Sequence, residues 1–156
     1  MTPIVLLDRL KEFIEMSIKD VILPSRNSEP RAAKVYKGNL PNKEAETKQV
    51  PYILIRFITG KDDQLSGEMT DSECRVRIIV VTYSDDGEEG YINTLNLITR
   101  IRIALLKERV IGDQFLLKMP LEYIVYEDDT DHYHIGEMMT IWNIPAIERE
   151  VCGIWQ

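Results

Sequence analysis

From Glu73 to Arg109 the chain runs through an apolar strand pattern, an acidic turn and its longest helical pattern, and these three together fix what the rest must complete. The stretch Glu73–Tyr83 (ECRVRIIVVTY) is rich in the β-branched and aromatic side chains that suit a pleated, half-buried surface. Cys74, Val76, Ile78, Val80 and Thr82 share one face. Arg75 and Arg77 open the other face before Ile79 and Val81 take it over, so one side is expected to be buried throughout and the other only in its second half. That pattern predicts a central strand. Ser84, Asp85, Asp86 and Gly87 then supply turn and N-cap chemistry, and Glu88 and Glu89 place carboxylates where first-turn amides and the helix dipole favour them. Between Glu89 and Arg109, Tyr91, Leu95, Ile98, Ile101, Leu105 and Leu106 fall on one side of a 3.6-residue wheel, opposite Asn93, Asn96, Arg100 and Lys107. Arg102 lies inside the apolar arc, which predicts a packed stem with its charged head reaching water.

Around this centre the remaining segments read in order. Thr2 and Pro3 suit the start of a helix, and Leu6, Leu10, Phe13, Ile14 and Ile18 keep helical spacing to about Val21, with Pro24 closing it. Ala33–Lys37 predicts a short edge strand, and Asn42–Lys48 a polar connection. Pro51–Thr59 (PYILIRFIT) predicts a second long strand, apolar on both faces apart from Arg56 and buried beside the central one. Gly60–Ser72 carries two glycines and four acidic side chains with few apolar anchors, and reads as a long polar hairpin arm or loop. Gly112 and Asp113 predict the end of the central helix. Phe115–Tyr126 and Ile135–Glu148 predict a final hairpin across the polar turn Glu127–His134. Strands grouped in hairpins around one helix indicate an α+β fold: a mainly antiparallel sheet of four to five strands, with an N-terminal helix and a central helix packed on it. One domain over residues 1–156 is expected, with a protruding arm around 60–72 and a loose C-terminal tail.

Composition excludes several classes. Charged residues make up 29%, with 19 basic against 26 acidic side chains and a net charge of −7, which disfavours wrapping around nucleic acid. No apolar run reaches bilayer length and no leader pattern opens the chain, so a cytoplasmic protein with no membrane partner is expected. Cys74 and Cys152 form no CxxC pair, which suits a reducing compartment and gives no zinc set.

The acidic turn with Glu127, Asp128, Asp129, Asp131, His132 and His134 is the best candidate for metal or catalytic chemistry, because imidazole and carboxylate together suit divalent transition metals. A solvated hairpin turn explains the same residues without a ligand. Asp85, Asp86, Glu88 and Glu89 fail the spacing of a calcium loop and are explained by helix capping. No GxSxG, HExxH or Walker sequence occurs. No catalytic residue, cofactor or metal is therefore expected, and a small metal-dependent enzyme is only the last of the alternatives. Trp142 with Met138 reads as core, and Arg75 and Arg77 in an acidic chain favour a neighbouring subunit over nucleic acid.

In its order of elements the chain resembles the tail terminator proteins of long-tailed bacteriophages. The resemblance rests on the N-terminal amphipathic helix, the strand PYILIRFIT, the strand ECRVRIIVVTY leading through an acidic turn into GYINTLNLITRIRIALL, and the closing hairpin LEYIVYEDDTDHYHIGEMMTIWNIPAI. It implies a structural protein of a phage or prophage that forms a hexameric ring on the head-proximal end of the tail tube, ends tube polymerisation and presents the tail to the capsid. Its implied partners are further copies of itself, the tail tube protein and neck or connector proteins, with viral DNA passing through the lumen unbound. The implied places are the host cytoplasm during assembly and then the virion. Another head-tail joining component is the alternative. The residues expected at subunit or partner contacts are Lys61, Asp62, Asp63, Glu68, Arg75, Arg77, Asp128 and Asp129.

Overall fold

The computed structural model describes residues 2–26, 29–40, 50–64, 70–127 and 132–147. Along the chain lie α1 (Pro3–Ile18), β1 (Lys34–Lys37), β2 (Tyr52–Gln64), β3 (Thr70–Tyr83), α2 (Gly87–Glu108), β4 (Val110–Ile111), β5 (Phe115–Val125) and β6 (Tyr133–Ile144). The strands form one six-stranded sheet in the order β1-β2-β3-β6-β5-β4. The fold is α+β as expected, but the sheet is mixed and larger than the four to five strands anticipated, because β1 runs parallel to β2 and a two-residue β4 adds an edge. Neither feature has a period that a sequence displays: strand direction leaves no mark in a four-residue run, and two residues carry no alternation.

β3 pairs with β2 on one side and β6 on the other, which makes it the interior strand that its apolar pattern predicts. Cys74, Val76, Ile78, Val80 and Thr82 are all buried beneath the helices, together with Met138, Thr140 and Trp142 of β6. From α1, Leu6, Leu10, Ile14 and Ile18 are fully buried against this face, each stabilising by about 2 kcal/mol on transfer arithmetic. α1 ends at Ile18, one turn earlier than its spacing suggested. On the opposite face a smaller cluster of Val50, Tyr52 and Val81 gathers Tyr36, Leu54, Ile79 and Ile135, so that face is buried only toward one end of β3. No helix among the described residues is long and apolar enough to cross a membrane.

α2 begins where its capping residues place it. Asp86 is the N-cap, accepting from the amides of Glu88 at 2.9 Å and Glu89 at 3.5 Å. The buried face is Gly90, Thr94, Leu97, Ile98, Ile101 and Leu105. Tyr91 stands exposed and Leu95 and Leu106 are half-buried, a rotation from the expected arc that follows from two small residues, Gly90 and Thr94, letting the helix approach β6. Arg102, expected to send its head to water, is half-buried with its guanidinium carbon 5.6 Å from the centre of the Tyr123 ring. The helix ends at Arg109, whose φ of 62° turns the chain and whose amide reaches the Leu105 carbonyl at 2.8 Å. Gly112 and Asp113, expected to stop the helix, instead take positive φ in the tight turn between β4 and β5.

Candidate assembly surface

β2 and β3 continue as a paired hairpin to Gln64 and Thr70, well beyond the last β1 partner at Ile55. β3 meets β6 only as far as Ser72, so the hairpin tip lies past both neighbours. Every β2 residue from Arg56 to Gln64 is exposed. β2 is therefore buried only in its first four residues, and Phe57 and Ile58, read as core from sequence, stand at 40% and 37% exposure. The pairing shifts register between Phe57 and Thr59, the signature of a β-bulge.

The residues expected at contacts divide between the two faces of this arm. Lys61, Asp63, Arg75 and Arg77 lie on the face away from the helices, and Asp62 on the helix side opposite Ser72, whose Oγ donates to its carboxylate at 2.6 Å. Lys61 Nζ pairs with Asp63 at 3.3 Å, and this lysine together with the Gln64 amide holds the Asp63 carboxyl below the usual range, the amide having the larger effect. Arg75 is exposed. Arg77 Nε lies 2.6 Å from Glu137, but its N–H is not aimed along that line, so the contact is an ion pair without an Nε hydrogen bond. Glu137 also accepts from the Tyr126 hydroxyl at 2.6 Å, which raises the pKa of that phenol. Glu68, Asp128 and Asp129 lie outside the described residues.

One contact across the open face was not anticipated. Lys118 of β5 donates to Glu73 of β3 at 2.8 Å, passing over β6 between them. No local spacing announces a pair 45 residues apart.

The two histidines of the acidic turn between β5 and β6 sit in different surroundings. β6 starts at Tyr133, so strand alternation never reaches His132, which has a φ of 70° and points its Nδ1 to within 3.8 Å of Asp85. His134 is 3% exposed, with Nε2 3.3 Å from the Ser84 carbonyl. Asp131 lies outside the described residues. Among the described residues, no three His, Cys, Asp or Glu side chains come together to hold a metal ion.

The surface that combines reach, exposure and charge is thus the arm together with the helix-free sheet face. It has the chemistry of a contact surface: paired main chain held out from the core, an exposed apolar pair at its base and mixed charge along its length. No family model matches the chain, and no curated protein matches it.

Proposed function

We propose that this chain is a structural protein of a phage or prophage tail, acting as a tail terminator: a ring that caps the head-proximal end of the tail tube and presents it to the neck. The observation that carries the reading is the β2–β3 arm, a hydrogen-bonded hairpin that extends past both neighbouring strands and whose β2 residues are all exposed from Arg56 to Gln64. A paired hairpin costs conformational entropy to order, and a neighbour that it covers supplies the compensating burial. The placement of both described helices on one face adds support, because it leaves the end of the other face beyond the Val50, Tyr52 and Val81 cluster, and the sheet's edges, available around a ring. In this reading the role is assembly, without catalysis. The contacts are copies of the same chain, the tube protein and the capsid connector, and DNA passes an acidic molecule that does not grip it.

The test is solution mass by light scattering with negative-stain imaging, followed by polymerisation of tube protein with and without this chain. Rings, and tubes that stop growing at the capped end, are the expected outcome. A chain that stays monomeric both alone and with tubes, and leaves tube length unchanged, overturns the reading. Preferential binding to the capsid connector before any tube binding assigns it instead to another joining position.

A further inference from the structure

The two long outer strands are each only partly covered. β1 pairs with β2 from Tyr52 to Ile55, and β4 pairs with β5 at Phe115 and Leu116 alone. Among the described residues this leaves β2 open from Arg56 to Gln64 and β5 open beyond Leu117. Open edges in monomers are commonly guarded by charge, proline or a bulge. β5 has such a guard at Pro120, where its pairing with β6 shifts register, but Glu122–Val125 resumes a regular ladder with Gly136–Met139. That resumed segment carries apolar side chains on both sides of the open edge: Tyr123 on the helix side is 47% exposed and Ile124 on the other 53%. Ile103 of α2, next to the arginine that stacks on Tyr123, is 43% exposed.

We propose that this outer edge of β5, with the flank of α2 beside it, is the seat of a second copy of the same chain, which enters by its β2 arm. The inference rests on the ring reading and says which surfaces build the ring. Three features of the arm match the seat. Its own open edge has main-chain groups to pair with those of β5. Phe57 and Ile58 are an exposed apolar pair at its base. Beyond them Asp62 is exposed on the helix side of the arm, and Arg102 flanks the seat on its helix side, so these two charges are opposite in sign, while Lys61 and Asp63 on the arm's other face pair with each other. Because β2 and β5 lie on opposite sides of the central pair β3-β6, the contact joins unlike surfaces and repeats head to tail. Pairing of β5 with itself leaves the arm's apolar pair uncovered.

Two single variants test this. Ile58→Asp disables the arm and Ile124→Asp disables the seat; both positions are exposed, and far-ultraviolet circular dichroism checks that each variant is folded. Asp62→Lys with Asp63→Lys provides a second arm variant that leaves the apolar pair intact. Each variant alone is expected to associate at least tenfold more weakly than the parent. An equimolar mixture of Ile58→Asp and Ile124→Asp is expected to form a species of two chains and nothing larger, since only one intact contact exists between them. Rings of normal affinity from any of the variants overturn the seat and leave the ring reading standing. Failure of the mixture to form the two-chain species overturns the head-to-tail pairing. A parent chain that never assembles, with or without tubes, overturns the ring reading and this inference with it.

Discussion

Gly90 in the first turn of α2 lies against the imidazole of His134 on β6, so close that a Cβ at Gly90 would stand 2.0 Å from the ring. A second close approach follows along the same helix, where a Cβ on Gly136 would meet Ile98 Cδ1 at 2.5 Å and Thr94 Cγ2 at 2.8 Å. The separation of α2 from the sheet is thus set by two missing side chains, one on each partner. Gly90→Ala gains about 1 kcal/mol in helix propensity. The overlap with a buried ring outweighs that gain, and a net loss of roughly 1–3 kcal/mol is expected in urea unfolding. His134→Ala in the Gly90→Ala background should recover part of the loss, whereas a propensity effect alone would be indifferent to residue 134.

Asp86→Ala removes the acceptor that satisfies two first-turn amides of α2. The expected cost is about 1 kcal/mol, with Asp86→Asn costing much less because the amide oxygen still accepts. Chemical denaturation of the three proteins in parallel decides it, and equal stability of all three would show that Ser84, whose Oγ accepts from the Asp86 amide at 3.1 Å, holds the turn alone.

Cys74 is buried in β3, and burial pushes its thiol up to about 11, with a smaller push from Glu73. The folded state holds the proton more tightly than the unfolded chain, so this group's contribution is fully present below the unfolded thiol's pKa of 9.0 and is lost as pH rises toward 11. The loss over that window is of order 2 kcal/mol, and Cys74→Ala should flatten the alkaline limb of the stability profile. At pH 8 the peptide containing Cys74 should be labelled by iodoacetamide only when the protein is unfolded first.

Lys118 holds the Glu73 carboxyl below its ordinary range, and Glu73 in turn raises the Lys118 ammonium, each chiefly through the shared hydrogen bond. The carboxylate's share of stability is present at neutral pH and lost as pH falls through its depressed pKa, while the lysine's is lost as pH rises through its raised one. Both groups are partly exposed, so the stability change stays within about 1 kcal/mol. Lys118→Met should move the Glu73 carboxyl titration, followed by carbon-13 chemical shift, back toward the free value.

What could be read from the chain and what could not divide along the range of the interactions. The β3 face and the Asp86 cap were legible because each depends on spacing within a few residues, whereas the ring under Arg102 belongs to Tyr123 on a distant strand. The parallel pairing of β1 and the Lys118–Glu73 bridge were not legible, because both depend on which distant strands become neighbours. The rotation of α2 falls between the two: Gly90 was visible in the sequence, but the ring it accommodates sits on β6. The arm was read as a polar hairpin or loop, and its order to Gln64 and Thr70 comes from cross-strand hydrogen bonds that polar composition does not forbid.

The strand order β3-β6-β5 has a consequence for synthesis. β6, the last strand among the described residues, is inserted between two strands made before it, so β3 and β5 cannot share a sheet until Tyr133–Ile144 has emerged. Until then a nascent chain holds the apolar edge of its central strand unpaired. Emergence of β6 is thereby the step that closes the sheet, and chains released before it are candidates for aggregation and proteolysis.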